Sequence, residues 1–349
     1  MEYLNFGVGP TTRKPEINQV ASLPLPYFRT QEFSNITLNV IDKLKFLLGL
    51  NQGQICLLTG SGTLAMEIAV ANCFKANDKV LVVNGGTFGR RFYDICCIYN
   101  LDVEVIQLEP FEPLTAKHLE KYKDCDFQGF LINGLETSTG ILYDLELCAD
   151  FCRQKNCLFI LDAISCFLAD RINCQQLGVD VVLVGSQKGL ALSPGLSIIG
   201  LSTRACNVVN NNKVRSLYLD LKLYLNDIKR GQCPFTPAVG IILELHKALE
   251  LICADVDSHF KNVRELCCYF REKARLLNLE IIDSKTNCLT VVKLKNAYDI
   301  FLRLKDEFKI WVTPNGGKLR DEIIRVGHIG DLKKSDYDYL LTSLISIID

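Results

Sequence analysis

Between residues 54 and 201 the chain repeats one rhythm: a short apolar run, a few polar or glycine positions, then a longer stretch with apolar residues at helical spacing. The runs fall at 54–58, 79–83, 103–108, 129–132, 158–161, 180–184 and 197–201. Several are continuous in Val, Ile and Leu, which marks strands covered on both faces. The stretches 63–74, 88–99 and 145–155 read as amphipathic helices between them. This order predicts an α/β architecture, a mostly parallel seven-stranded sheet sandwiched by helices.

Past Pro237 the texture changes. Segments 238–252 and 259–277 read as long helices, followed by strands near 280–282 and 289–294, a helix near 296–308, a strand near 323–326 and a closing helix. A smaller α+β domain is expected. The expected division is a large domain over 16–237 and a small one assembled from 1–15 and 238–349, both of ordinary size. Without repeats or low-complexity tracts, the two should share a packed interface with a site between them.

Composition narrows the partners. The chain is 48% hydrophobic and 23% charged with a net charge of -1, so it has no basic excess to attract nucleic acid or anionic lipid. The N-terminus lacks a basic segment followed by an apolar core, and no apolar run approaches roughly eighteen residues. Neither export nor a membrane span is expected, and the cytoplasm is the expected compartment. Sixteen cysteines invite a metal or disulfide reading. No CxxC occurs, however, and the pairs Cys96-Cys97 and Cys267-Cys268 lie in apolar, helix-like segments. The thiols are therefore expected to be reduced, mostly buried small hydrophobes, with no metal site.

Three places in the βα region carry chemistry. Thr59-Gly60-Ser61-Gly62-Thr63 follows a strand and opens a helix. Its glycines allow a tight turn, its free N–H groups meet an anion, and two hydroxyls add donors, which suits a phosphate monoester. A Gly/Ser/Thr loop is also the ordinary way to join a strand to a helix. Asp162 ends the run Phe159-Ile160-Leu161. A carboxylate buried there is costly unless it meets a cation, such as a protonated pyridine nitrogen; the plain alternative is a helix N-cap. Lys188 follows Val182-Leu183-Val184-Gly185-Ser186-Gln187 in the next unit. Desolvation and positive neighbours free such an amine to form an imine, whereas a lone lysine after a strand is usually a solvated loop residue. The three together, in successive units, are more specific than any one.

With these marks the sequence resembles the class V aminotransferases of the fold-type-I pyridoxal-phosphate enzymes, the group of alanine–glyoxylate, serine–glyoxylate and 2-aminoethylphosphonate transaminases. The resemblance runs from Gly9-Pro10-Thr11-Thr12 to about Gly330. It includes Phe28-Arg29-Thr30-Gln31-Glu32-Phe33, Gly86-Thr87-Phe88-Gly89 and Glu136-Thr137-Ser138-Thr139-Gly140. Pro194-Gly195, Pro234-Phe235-Thr236-Pro237 and Ile324-Arg325-Val326-Gly327 complete it. It implies that Lys188 carries pyridoxal 5'-phosphate as a Schiff base and then moves the substrate's Cα proton. Asp162 would keep the pyridine nitrogen protonated, Phe88 would stack on the ring, and Ser61, Gly62, Thr63 and Gln187 would hold the phosphate. Thr137 would hydrogen-bond near the ring. Gly9 and Arg325 would bind the substrate, Arg325 by gripping an α-carboxylate with its planar fork. Thr236 would reach the neighbouring subunit's phosphate in a homodimer with shared sites. The implied activity moves an amino group between a small amine or amino-acid donor, 2-aminoethylphosphonate among them, and a small 2-oxo acid of the pyruvate or glyoxylate type.

Two departures stand out. Phe88 occupies a position where many members carry Trp, and Cys233, a weak donor, stands where Tyr or Thr often helps the phosphate. Arg29 is expected to organise the N-terminal segment and not to act in the chemistry. A lyase or cysteine-desulfurase-like enzyme is the rival within the same cofactor class. Such enzymes generally stack a histidine on the ring and carry a reactive cysteine before the arginine; residues 315–322 contain none. A non-catalytic dimeric scaffold of the same fold would usually have lost the lysine or the acid, and both are present.

Overall fold

The computed structural model describes residues 3–348, so residues 1, 2 and 349 of the expected small domain lie outside the described residues. Seven strands, β1 (Gln54–Thr59), β2 (Lys79–Asn84), β3 (Asp102–Gln107), β4 (Gly129–Asn133), β5 (Leu158–Asp162), β6 (Val181–Gly185) and β7 (Leu196–Leu201), form one sheet. Their order is β1-β7-β6-β5-β4-β2-β3. Only β7 runs against its neighbours; the other pairs are parallel. The seven expected runs match these strands closely, and the reason is visible in the packing. Within each run, adjacent residues go to opposite faces. Ile55, Leu57, Leu81, Val83, Phe130, Ile132 and Phe159 join one core, while Cys56, Leu58, Val80, Val82, Leu131 and Ile160 join the other. Both faces are buried, so the runs need no polar positions.

The sequence reading passed over helix α1 (Gln31–Leu48). Thr30 caps it by accepting from the Phe33 N–H (3.2 Å), and Gly49 ends it in the left-handed region (φ 61°). Its buried stripe runs through Phe33, Thr37, Val40, Ile41, Leu44 and Leu48. Helices α2 (Gly62–Cys73), α3 (Thr87–Ile98) and α4 (Leu145–Lys155) follow β1, β2 and β4 as expected. Beyond the sheet come α5 (Val239–Ala254), α6 (Val256–Leu276), α7 (Ala297–Phe308) and α8 (Lys334–Ile348). α6 begins earlier than expected because Asp255 caps it through the Ser258 N–H (2.9 Å).

A second sheet of β8 (Leu289–Lys293), β9 (Thr313–Pro314) and β10 (Ile323–Gly327) is antiparallel, in the order β8-β10-β9. Phe270, Val292, Phe301, Ile324, Val326, Tyr337 and Phe6 form a core of their own around it. The strand expected at 280–282 is reduced to a single bridge, Ile281 to Val292. The chain leaves the sheet edge at once, with the Ser284 hydroxyl donating to the Gly140 carbonyl.

All sixteen thiols are free, and eleven are buried, which fits their reading as small hydrophobes. Of the two adjacent pairs, Cys96 and Cys267 are buried while Cys97 and Cys268 are exposed. Consecutive helical positions point about 100° apart, so one of a pair can be buried while the other faces out, as in both of these. No helix among the described residues is long and apolar enough to cross a membrane.

Candidate active site

β1, β2, β4, β5 and β6 end on one edge of the sheet, where β7 begins, so their following loops meet over a common crevice. Asp162 closes β5 beside Asn133 and is buried. The Ile164 N–H donates to its Oδ1 (2.8 Å), and its other oxygen has no hydrogen-bond partner among the described residues. No helix starts after it, so it is not an N-cap. Burial pushes its carboxyl up to about 7; the Ile164 bond opposes this, Glu136 adds to it, and Lys188 and Arg91 oppose it.

Lys188 lies three residues past β6, half-buried. Burial lowers its pKa; the Cys288 thiol and Asp162 oppose the shift, and the Arg325 and Arg91 guanidiniums add to it. Its loop is locked. Thr11 Oγ1 donates to the Lys188 carbonyl (3.1 Å), and Ser193 donates to the buried Glu244 of α5 through N–H (2.8 Å) and Oγ (3.0 Å). Arg13 Nη1 donates to Ser193 Oγ (2.7 Å). Gly9, at φ +130°, rests on the lysine: a Cβ there would stand 2.8 Å from Cε and 3.0 Å from Nζ, so no other residue fits.

At the start of α2 the Ser61 side chain makes no cap bond, and the N–H groups of Gly62 and Thr63 have no acceptor among the described residues. Ser197 Oγ donates to the Ser61 carbonyl (2.6 Å) and holds this loop in place. Gln187 is half-buried, and its amide has no partner among the described residues. Thr63 Oγ1 accepts from Arg91 Nη1 (3.0 Å).

Phe88 stands in the first turn of α3. Its N–H and that of Gly89 donate to the Glu136 carboxylate (3.2 and 3.0 Å). That carboxylate, fully buried, also accepts from Asn133 Nδ2 (3.0 Å), the Ser138 N–H (3.2 Å) and the Ser138 hydroxyl. Next to it, Thr137 pairs its hydroxyl with Ser165 Oγ (2.6 Å), and its carbonyl accepts from Arg325 Nη1 (3.0 Å). Arg325, in the middle of β10, donates from Nη2 to the Pro314 carbonyl (2.8 Å). Its buried Nε has no partner among the described residues. No carboxylate pairs with it among the described residues, and burial pushes it down to about 10 against the opposing charge of Glu136.

The structure thus brings Ser61, Gly62, Thr63, Phe88, Thr137, Asp162, Gln187, Lys188, Gly9 and Arg325 together beyond one edge of the large sheet. Thr236 stands apart: it is exposed and has no hydrogen bond to these residues among those described. Cys233 is buried, its thiol donating to the Leu57 carbonyl (3.6 Å). Arg29 clamps this segment through Gln232 Oε1 (3.2 Å) and the carbonyls of Cys233 (2.9 Å) and Pro234 (3.3 Å). Sequence reasoning missed Arg91, Ser165 and Cys288, and the anchoring of Phe88 by Glu136. Arg91 left one signal, its helical spacing from Phe88; Cys288 left none.

Known proteins carry the same arrangement of chain and fold. The sequence pattern of the family Aminotransferase class-V matches residues 27–293. An uncharacterised aminotransferase of Methanocaldococcus jannaschii is 32% identical over 338 residues, covering 92% of this chain and 86% of that protein. An L-aspartate–glyoxylate aminotransferase of Paracoccus denitrificans is 25% identical over 342 residues, covering 94% and 86%. The crystal structure of an alanine–glyoxylate aminotransferase from Nostoc superposes with a TM-score of 0.95 at 25% identity, covering 100% of this chain and 96% of that one.

Proposed function

The chain belongs to the class-V aminotransferase family, whose cofactor is pyridoxal 5'-phosphate, and from that premise we propose that it moves an amino group between a small amine or amino-acid donor and a small 2-oxo acid of the pyruvate or glyoxylate type. The observation that carries the substrate reading is Arg325, a buried guanidinium with an unpartnered Nε and no carboxylate of its own. A carboxylate is the ligand such a fork matches.

The residues of the crevice fit the cofactor. The free N–H groups opening α2 suit a phosphate, and the partnerless oxygen of Asp162, with its raised pKa, is what a carboxylate awaiting a cation presents. Bound there, the cofactor supplies a carbonyl carbon that takes up amino groups and a ring that withdraws electrons. Ser61, Gly62, Thr63 and Gln187 hold the phosphate. Asp162 would keep a proton on the ring nitrogen, Phe88 would stack on the ring, and Thr137 would lie beside it. Lys188 would hold the carbonyl carbon through Nζ, with loss of water, and its free amine would take and return the substrate's Cα proton. Its lowered pKa favours the neutral amine both tasks require. Gly9, packed on the lysine's side chain, borders the substrate through its backbone.

A second copy completes each site, with Thr236 reaching the neighbour's phosphate. The exposure of Thr236 supports this, as does the apolar surface of Leu23 (57% exposed), Leu25 (66%) and Tyr27 (69%). Residues 16–237 are read as the large domain, and 1–15 with 238–349 as the small one, supported by the separate core around Phe270. Sixteen unpaired thiols suit a reducing compartment, the cytoplasm. Phe88 at the stacking position and the lack of cysteine at 315–322 weigh against the lyase alternative. As a transaminase, the chain is not a non-catalytic scaffold.

A half-reaction screen tests this. Alanine, serine, aspartate and 2-aminoethylphosphonate are added singly to the loaded enzyme while its near-visible absorbance is followed, then pyruvate or glyoxylate is added. Discharge of the band by an amino acid and its return with a 2-oxo acid is expected. Sulfide release from cysteine with no 2-oxo acid restoring the band overturns the reading. Borohydride should fix the cofactor's mass on Lys188; a tag on another lysine overturns that assignment.

A further inference from the structure

Arg90 and Arg91 are neighbours on α3, yet they face different worlds. Arg90 reaches along the surface of its own helix to Asp94 (2.7 Å). Arg91 turns inward, donating to Thr63 Oγ1 (3.0 Å) and lying over the face of the Phe88 ring, 4.9 Å from the centroid. It has no carboxylate in direct contact among the described residues, so its positive charge acts on the neighbouring groups without an ion pair to hold it.

The chemistry of the contact with Thr63 has a direction. A guanidinium can only donate, so Thr63 Oγ1 must accept, which leaves its single hydroxyl proton free to point elsewhere. No acceptor takes that proton among the described residues, and an anion at the N-terminus of α2 would. On Phe88, the guanidinium covers one face of the ring and leaves stacking to the other. We propose that Arg91 is a positioning residue of the cofactor site: it presets the Thr63 hydroxyl as a phosphate donor and braces the Phe88 ring against the cofactor, linking phosphate loop and stacking aromatic through one side chain. The proposal rests on the reading that Thr63 and Phe88 hold the cofactor. The same charge acts on the reacting groups, because Arg91 works with burial to lower the pKa of Lys188 and works against burial at Asp162.

The test uses Arg91→Gln, Arg91→Lys and Thr63→Val. The readouts are the Kd of the cofactor-free protein for pyridoxal phosphate, the pH midpoint of the near-visible band of the loaded enzyme, and the unfolding midpoint of the cofactor-free protein. Arg91→Gln should raise the Kd about ten-fold, the equivalent of one charge-assisted contact, and move the pH midpoint up, since a cation that disfavours protonation has gone. Arg91→Lys keeps the charge, so its pH midpoint should stay near wild type while its Kd rises. Adding Arg91→Gln to Thr63→Val should cost less than the two changes summed. An unchanged Kd and pH midpoint in Arg91→Gln overturns the proposal. So does a Kd that rises only in step with a fall in the unfolding midpoint. If Thr63→Val raises the Kd while Arg91→Gln does not, this proposal alone fails. If Thr63→Val leaves the Kd unchanged, the placing of the phosphate at Thr63 fails with it.

Discussion

Glu136 and Arg325 are both charges buried beside the same site, one in the short hairpin after β4 and the other in β10, and they are satisfied to opposite degrees. The carboxylate of Glu136 accepts from three backbone N–H groups, an amide and a hydroxyl. The guanidinium of Arg325 donates to two carbonyls and leaves Nε with nothing. A buried charge whose hydrogen bonds are complete holds its surroundings still; here Glu136 fixes the turn that carries Phe88. A buried charge left incomplete is stable only if something else arrives to complete it. The same division runs through the site, with Ser193 and Glu244 fully engaged, and Asp162 and the start of α2 left open.

Substitutions can break this contrast. Arg325→Lys keeps the charge and loses the planar fork. Impairing such a buried charged contact costs about 2–5 kcal/mol, so kcat/KM for 2-oxo acids should fall roughly 30-fold or more, with pyridoxal phosphate content unchanged. Normal kinetics with every 2-oxo acid would move Arg325 to the structural side. Glu136→Gln should act the other way, lowering stability by about 2 kcal/mol as an amide replaces an acceptor of five bonds. A lower urea midpoint would show it, and a variant as stable as wild type would place Glu136 with the ligand-binding charges.

A pH-dependent effect sharpens the picture at Asp162. Its carboxyl titrates near 3.8 when unfolded and about 7 when folded and without a cation. Between those values the folded chain binds more protons. Its contribution is therefore full at low pH and is lost as pH rises from about 4 to 7, by at most about 1.4 kcal/mol per pH unit. Denaturation of the cofactor-free protein across this window should show that slope relative to Asp162→Asn. Identical slopes would mean that Asp162 already has its partner.

Much of this was legible in the chain, and the rest was hidden for physical reasons. The seven strands declared themselves because burial on both faces removes polar positions from them. The short pairing at Ile281 did not, because one apolar pair looks the same in sequence whether a ladder or a single bridge follows. Helix α1 carried its signals, Thr30 before it and Gly49 after it, but they lay outside the βα rhythm that guided the reading. At the site, Lys188, Asp162 and the Ser61–Thr63 turn could be found because each sits at a strand end. The bonds from Arg91 to Thr63 and from Phe88 to Glu136 join side chains and backbone across different units, and no local spacing records them.

The order of the large sheet has a consequence for how the protein is made. β1 lies at the sheet's edge, and its one strand neighbour is β7. Emerging from a ribosome, the strand that leads into the Ser61–Thr63 turn is the first of the seven to be synthesised. It cannot be paired in its native register until residues 196–201 have followed it. Closing so long a loop is slow, and an unpaired apolar strand is open to wrong partners in the meantime. The backbone seam beside the Ser61–Thr63 turn thus cannot form before β7 has been made, and a nascent chain halted before β7 would hold Asp162 and Lys188 while the strand leading into that turn stayed unpaired.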